Sequence, residues 1–165
     1  MKKLHVENHL PTSAKEAWEV FESDEYKERL REQTNIKQEI LETRTEGNIE
    51  IRRIRTEPDR ELPGMVASAI GTKKLSYVQE NRFDRASGRM EWSVELDGIG
   101  DRVTVKGVTT CVPDGDGCKR VVDGEITVKV PLVGGQIEKA VVAEFEKSMQ
   151  RSNEVALDLI RQRQA

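Results

Sequence analysis

Tyr77, Gln79 and Asn81 alternate between Leu75 and Phe83 in a run that reads as a β-strand. Alternate residues share one face of a strand, so this face would mix apolar groups with a phenol and two amides. A buried polar group without a partner costs roughly 1–3 kcal/mol. Three of them on one face therefore imply pairing with neighbouring strands, water, or the polar end of a ligand. Met90, Trp92 and Val94 alternate along the next strand and would face the same interior. Aromatic and thioether side chains suit an adaptable apolar wall, although a plain core would use them equally well. Phe145 and Met149 lie four apart on a long C-terminal helix and complete a candidate ligand-binding set. The chemistry implied by these eight residues is recognition of a small hydrophobic or amphipathic molecule.

Other constellations carry less. His5 and His9 lie four apart in an extended segment, so strand rise separates them by roughly 13 Å, too far to share a metal. Cys111 and Cys118 flank Val112-Pro113-Asp114-Gly115-Asp116-Gly117 and could approach each other across a hairpin. Free thiols are expected of a chain in a reducing compartment. Asp114-Gly115-Asp116-Gly117 resembles the start of a calcium loop, but Cys118 and Lys119 occupy positions that need an oxygen ligand and a glycine. Gly98-Ile99-Gly100 lacks the third glycine of a dinucleotide fingerprint and opens a strand. Gly134-Gly135 precedes a helix, where free amides could hold an anion; a sharp sheet-to-helix corner is the simpler use. No nucleophile elbow or paired-carboxylate motif stands out. Catalytic residues, metal and cofactor are all expected to be none.

The elements that must position these side chains follow from the pattern of the chain. His5–His9 reads as a first strand. Ser13 and Glu16 are spaced as a capping box ahead of Ala14, Ala17, Trp18 and Phe21 at helical spacing. Ser23-Asp24 can cap a second short helix bearing Tyr26 and Leu30. Strands are expected at 36–41 and 49–54, and a short helix or apolar loop at 62–70. Four further strands follow over 75–83, 90–96, 103–111 and 122–130. Ala86-Ser87-Gly88, Asp97–Asp101 and Asp114–Gly117 supply the turns, so neighbouring strands run antiparallel. Residues 136–164 contain no Gly or Pro and can form a helix some 40 Å long. Its apolar stripe is Ile137, Val141, Phe145, Met149, Ala156, Leu159 and Ile160. Ser148 and Ser152 fall beside that stripe, as suits a helix roofing a cavity.

Composition narrows the classes. The 165 residues are 36% hydrophobic and 35% charged, with 27 Lys and Arg against 30 Asp and Glu. A chain of this length can bury a core without staples, and one domain over 1–165 is expected. The charges interleave, and no basic face marks a nucleic-acid partner. No segment approaches the roughly 20 apolar residues of a membrane span, and the N-terminus lacks a signal-like apolar run. A cytoplasmic location is the default expectation. Oligomeric state is not encoded legibly.

The order strand, two helices, six antiparallel strands and long terminal helix resembles the START-like (SRPBCC, polyketide cyclase and lipid-transport) superfamily. The likeness spans the whole chain. It is carried by Leu10-Pro11-Thr12-Ser13-Ala14-Lys15-Glu16-Ala17-Trp18 and by Val130-Pro131-Leu132-Val133-Gly134-Gly135-Gln136-Ile137-Glu138. The second motif is similar to an uncharacterised bacterial group known only as a domain of unknown function. The resemblance implies an α+β helix-grip fold with a cavity between a curved antiparallel sheet and the terminal helix. It further implies binding or carriage of a lipid-like ligand. A cyclase or aromatase steering its substrate with Tyr77 or Asn81 is an alternative, as is a chaperone-assisting interaction module.

Overall fold

A computed structural model describes residues 1–99 and 101–165. It contains β1 (Lys2–Leu10), α1 (Ala14–Glu22), α2 (Asp24–Thr34), β2 (Lys37–Glu46), β3 (Ile49–Glu57) and α3 (Gly64–Ile70). Then come β4 (Tyr77–Asp84), β5 (Arg89–Leu96), β6 (Val103–Asp114), β7 (Gly117–Val128) and α4 (Gly134–Gln164). Seven strands form one antiparallel sheet in the order β1-β7-β6-β5-β4-β3-β2. From β2 onward each strand pairs with its successor, as short connections require. β1 alone is remote in sequence, and α1 and α2 carry the chain from that edge to the opposite one. The architecture is α+β, a curved sheet gripping a long terminal helix.

Local chemistry explains the helix ends. Ser13 Oγ accepts the Glu16 amide at 3.2 Å, as a capping residue should. The Glu16 carboxylate does not complete the expected box; it accepts from the Thr12 hydroxyl at 2.5 Å instead. Ser23 serves two helices. Its amide bonds the Val20 carbonyl to close α1, and its Oγ accepts from the Tyr26 amide at 3.1 Å to open α2. The 62–70 segment resolves into α3. β4 begins at Tyr77, later than the apolar pattern implied, and Leu75 is buried in the loop before it. Of the Asp97–Asp101 turn, Gly100 lies outside the described residues.

Gly134 makes the corner into α4, where a Cβ would come within 3.0 Å of the Val128 carbonyl oxygen. Glu138, almost buried on the first turns of α4, accepts the Val128 amide at 3.1 Å. The corner is thereby tied to the last strand.

The interior divides into two apolar clusters that α4 bridges. Ile137, Val141, Val142 and Phe145 join the larger, which fills the space over β4–β7 and under α3. Val155, Ala156, Leu159 and Ile160 join the smaller, against α1, α2 and Leu10. Between them α4 presents Ser148, Met149 and Ser152.

On the sheet, Trp92 pairs in register with Gly107, and Gly107 with Gly124. Neither glycine has a side chain to hold the indole away, so the ring lies across both. A Cβ on Gly107 would collide with Trp92 and with the Asp123 carbonyl, and one on Gly124 would sit 2.8 Å from Trp92 Cη2. Indole Nε1 donates to Thr109 Oγ1 at 3.1 Å. Overpacked cores lose about 1–3 kcal/mol, and Gly124→Ala should lose that much by urea denaturation. In a Trp92→Leu background the same substitution should cost markedly less. Equal cost in both backgrounds would show that the indole is not what excludes the methyl.

Candidate ligand cavity

The hollow lies where the two clusters fail to meet. Its volume is about 160 Å³, similar to the roughly 150 Å³ engineered cavity that accepts benzene. β4 contributes Tyr77, Gln79, Asn81 and Phe83; β5 contributes Met90 and Trp92. Thr109, Arg120 and Val122 supply the wall from β6 and β7. α4 supplies Phe145, Ser148, Met149 and Ser152, while Trp18 and Tyr26 come from α1 and α2. Seven of the eight residues singled out from sequence therefore line one space. Val94 does not. It is buried in the larger cluster, packed away from the hollow although its register partner Gln79 lines it.

Aromatic contacts set the shape. Trp18 packs on Phe83 with ring centroids 4.5 Å apart, and Tyr77 packs on Phe145 at 5.3 Å. Several polar groups are already engaged. Gln79 Nε2 donates to Asn81 Oδ1 at 2.7 Å, and the Ser152 hydroxyl donates to the Ser148 carbonyl at 2.7 Å. Burial pushes the Tyr77 hydroxyl up to about 12, against a smaller opposing effect of Thr56. Tyr77 is therefore neutral at physiological pH.

Three donors on the wall have no hydrogen-bond acceptor among the described residues, Trp18 Nε1, Arg52 Nε and Arg120 Nε, and all three atoms are closed to solvent; only Arg52 Nε has a carboxylate beside it. The Arg120 guanidinium lies over the Phe21 ring, 4.3 Å from its centroid.

The mouth is charged and paired. Arg85 bridges Glu50 at 2.6 Å and Glu22 at 3.7 Å, and Arg52 Nε lies 2.9 Å from Glu50 Oε1. That last contact is angled off a hydrogen bond and acts as an ion pair only. Burial raises the Glu22 carboxyl and lowers the Lys27 ammonium. Burial also disfavours the Glu50 carboxylate, but Arg85 and Arg52 outweigh it and hold that group below the usual range.

A second, wider depression crosses the outer face of the sheet over Gly107 and Gly124. It is open, and its charges meet one another: Arg82 with Glu80 at 3.7 Å, Lys106 with Glu125 at 3.5 Å, His5 with Asp123. Among the described residues it offers no orphaned group.

The remaining sequence candidates lie elsewhere. His5 and His9 project outward from β1 and pair with separate carboxylates, Asp123 and Asp114. Cys111 and Cys118 are free thiols that face the same side of the β6–β7 hairpin. Burial pushes the Cys111 thiol up to about 12 and raises that of Cys118.

Sequence reading missed Arg120, because it opened the last strand at Val122. Carrying the alternation of Val122, Gly124 and Ile126 back by two residues puts Arg120 on the buried face. Arg52 and Thr56 on β3 and Tyr26 on α2 were missed for a different reason, since only tertiary packing turns them inward.

The thiol and the phenol make alkaline stability a readout of this packing. Cys111 and Tyr77 ionise later in the folded protein than in the unfolded chain, whose ordinary values are 9.0 and 10.0. Their contribution is whole below pH 9 and is lost as the pH rises towards 12, because the unfolded state releases its protons first. The rise of the Tyr77 hydroxyl from 10.0 to about 12 corresponds to up to about 3 kcal/mol. Urea titrations from pH 8 to 12 should show stability falling, with Tyr77→Phe giving a shallower decline above pH 10. Parallel curves would contradict the burial of this hydroxyl.

Comparisons with known proteins agree on the fold. Residues 5–160 match the family described as protein of unknown function, DUF2505. No curated protein matches the chain. Among solved structures, TTHA0849 from Thermus thermophilus superposes with a TM-score of 0.71 at 15% identity, covering 99% of this chain and 100% of that one. The Zhui aromatase/cyclase from Streptomyces sp. R1128 gives 0.69 at 14%, covering 99% and 96%. A START superfamily protein from Mycobacterium smegmatis gives 0.60 at 16%, covering 97% of each chain. At such identities the likeness concerns the fold alone. A helix-grip sheet, a long terminal helix and a match over nearly the whole length lead to one conclusion: the chain belongs to the DUF2505 family and has the START-like fold.

Proposed function

We propose that this protein binds a small, partly apolar molecule in the hollow between its sheet and α4, and that binding rather than bond-making is its task. One observation carries the reading. α4 is apolar against both clusters yet presents Ser148 and Ser152 where it crosses Trp92, Met90 and Phe83. A helix selected only for packing would place large apolar residues there. The two serines instead leave space above an aromatic floor.

The volume narrows the ligand class. Pockets for drug-sized ligands run to roughly 300–1,000 Å³, whereas this one is about 160 Å³. It suits a single ring or a short acyl chain better than a two-tailed lipid, and a longer tail would have to leave through the charged mouth. No helix among the described residues is long and apolar enough to cross a membrane.

A cyclase is the second reading, since one structural neighbour is an aromatase/cyclase. It would need Tyr77 or Asn81 free to meet a substrate. Asn81 Oδ1 already accepts from Gln79, which favours the binding reading.

The fluorescence of Trp18 and Trp92, which both line the hollow, should change saturably and with one-to-one stoichiometry on titration with a short-chain amphiphile such as octanoate. Ser148→Phe, which places a ring in the hollow, should weaken that binding at least tenfold while retaining the circular dichroism of the parent. Unchanged binding by a folded Ser148→Phe protein would place the probe elsewhere and remove the basis for this reading.

A further inference from the structure

Three cations line the hollow: Lys27, Arg52 and Arg120. Lys27 lies 3.9 Å from Asp24 and donates to the Glu22 carbonyl at 3.1 Å. Arg52 has Glu50 at 2.9 Å. Arg120 has no carboxylate within ion-pairing distance among the described residues, and its Nε is buried without a hydrogen bond. The groups that act on it electrostatically are Tyr26 and Cys111. Neither is charged at neutral pH, since burial raises both. An arginine nevertheless keeps its proton in proteins, so the hollow holds a permanent positive charge.

A buried charge is retained against a large desolvation cost only when something offsets it. The Phe21 ring, 4.3 Å away, offsets part through its π face. A guanidinium is itself planar and can meet a carboxylate with two parallel hydrogen bonds. Another orphaned donor, Trp18 Nε1, lines the same hollow, so both it and Arg120 Nε are left wanting an acceptor. A phosphate would bring a second negative charge towards Glu22 and Glu50 with no cation left to meet it. A carboxylate brings one.

Building on the ligand-binding reading above, we propose that the natural ligand is a small monocarboxylate whose carboxyl group pairs with Arg120 and whose single ring or short acyl chain lies on Trp92, Met90 and Phe83.

Calorimetric titration with phenylacetate and octanoate, beside the uncharged phenylacetamide and octanamide, tests the assignment. The parent protein should bind each acid at least tenfold more tightly than its amide. Arg120→Met should abolish that preference by weakening the acids, with the amides held within about twofold. Arg120→Lys should retain part of the preference. Since Arg120→Met removes a half-buried charge that has no carboxylate partner, its melting temperature without ligand should equal or exceed the parent's. An arginine with a purely structural role would instead lower it. Should the variant fail to fold, the parent protein still decides the matter. The Arg120 Nε–H resonance should shift with octanoate and not with octanamide.

Equal affinity for acid and amide in the parent protein would overturn the carboxylate assignment while leaving the ligand-binding reading in place. Failure of acids and amides alike to bind would overturn both.

Discussion

The position of Trp92 is the constraint on which the interior depends. Its indole rests on Gly107 and Gly124 and is pinned by the Thr109 hydroxyl at 3.1 Å. A tryptophan standing up from this point of the sheet would reach α4 and occupy the space beneath it. Lying down, it becomes a floor. Ser148 and Ser152 form the matching roof, so the hollow requires glycines on two strands, a tryptophan on a third and two serines on the helix. Remove any of these and close packing, the ordinary state of a protein interior, would close the gap.

The two ends of α4 make this possible. Each end is anchored by its own apolar cluster, so the helix does not need its middle to hold it on the sheet. The Gly134 corner and the Glu138 bond to Val128 fix one end. Leu159 and Ile160, both almost wholly buried, fix the other against α1 and α2. Stability and function are thus divided along one helix, and the central turns are left to present a surface. The same division places Arg120 at the junction of the hollow with the smaller cluster, half-buried and stacked on Phe21, with no carboxylate among the described residues within ion-pairing distance.

The fold was legible in the sequence because its signals are local. Met90, Trp92, Val94 and Leu96 alternate without interruption, turn residues sit between successive strands, and 31 helical residues run without an interior proline. Much of the hollow was legible too. Tyr77, Gln79 and Asn81 share a face by strand periodicity, and that face meets α4. Val94 has the same periodicity but lies beyond the edge of the hollow, and periodicity says nothing about where along a strand a cavity ends. Arg120 was hidden because its neighbours Lys119 and Asp116 belong to a solvent-exposed hairpin end, so a basic residue there reads as surface. The reach of β7 down to Gly117, and with it the inward turn of Arg120, is held by its pairing with β1 as well as with its hairpin partner β6. The β1 pairing is non-local.

The central claim is that a ligand enters between the sheet and α4, and the four methionines allow it to be tested in one spectrum. Met90 and Met149 line the hollow, whereas Met1 and Met65 are 67% and 69% exposed and lie outside it. Methyl-labelled methionine NMR during titration with octanoate should shift Met90 and Met149 and leave Met1 and Met65 unmoved. Shifts confined to the exposed pair, or none in the presence of demonstrated binding, would put the ligand on the outer surface and contradict the account.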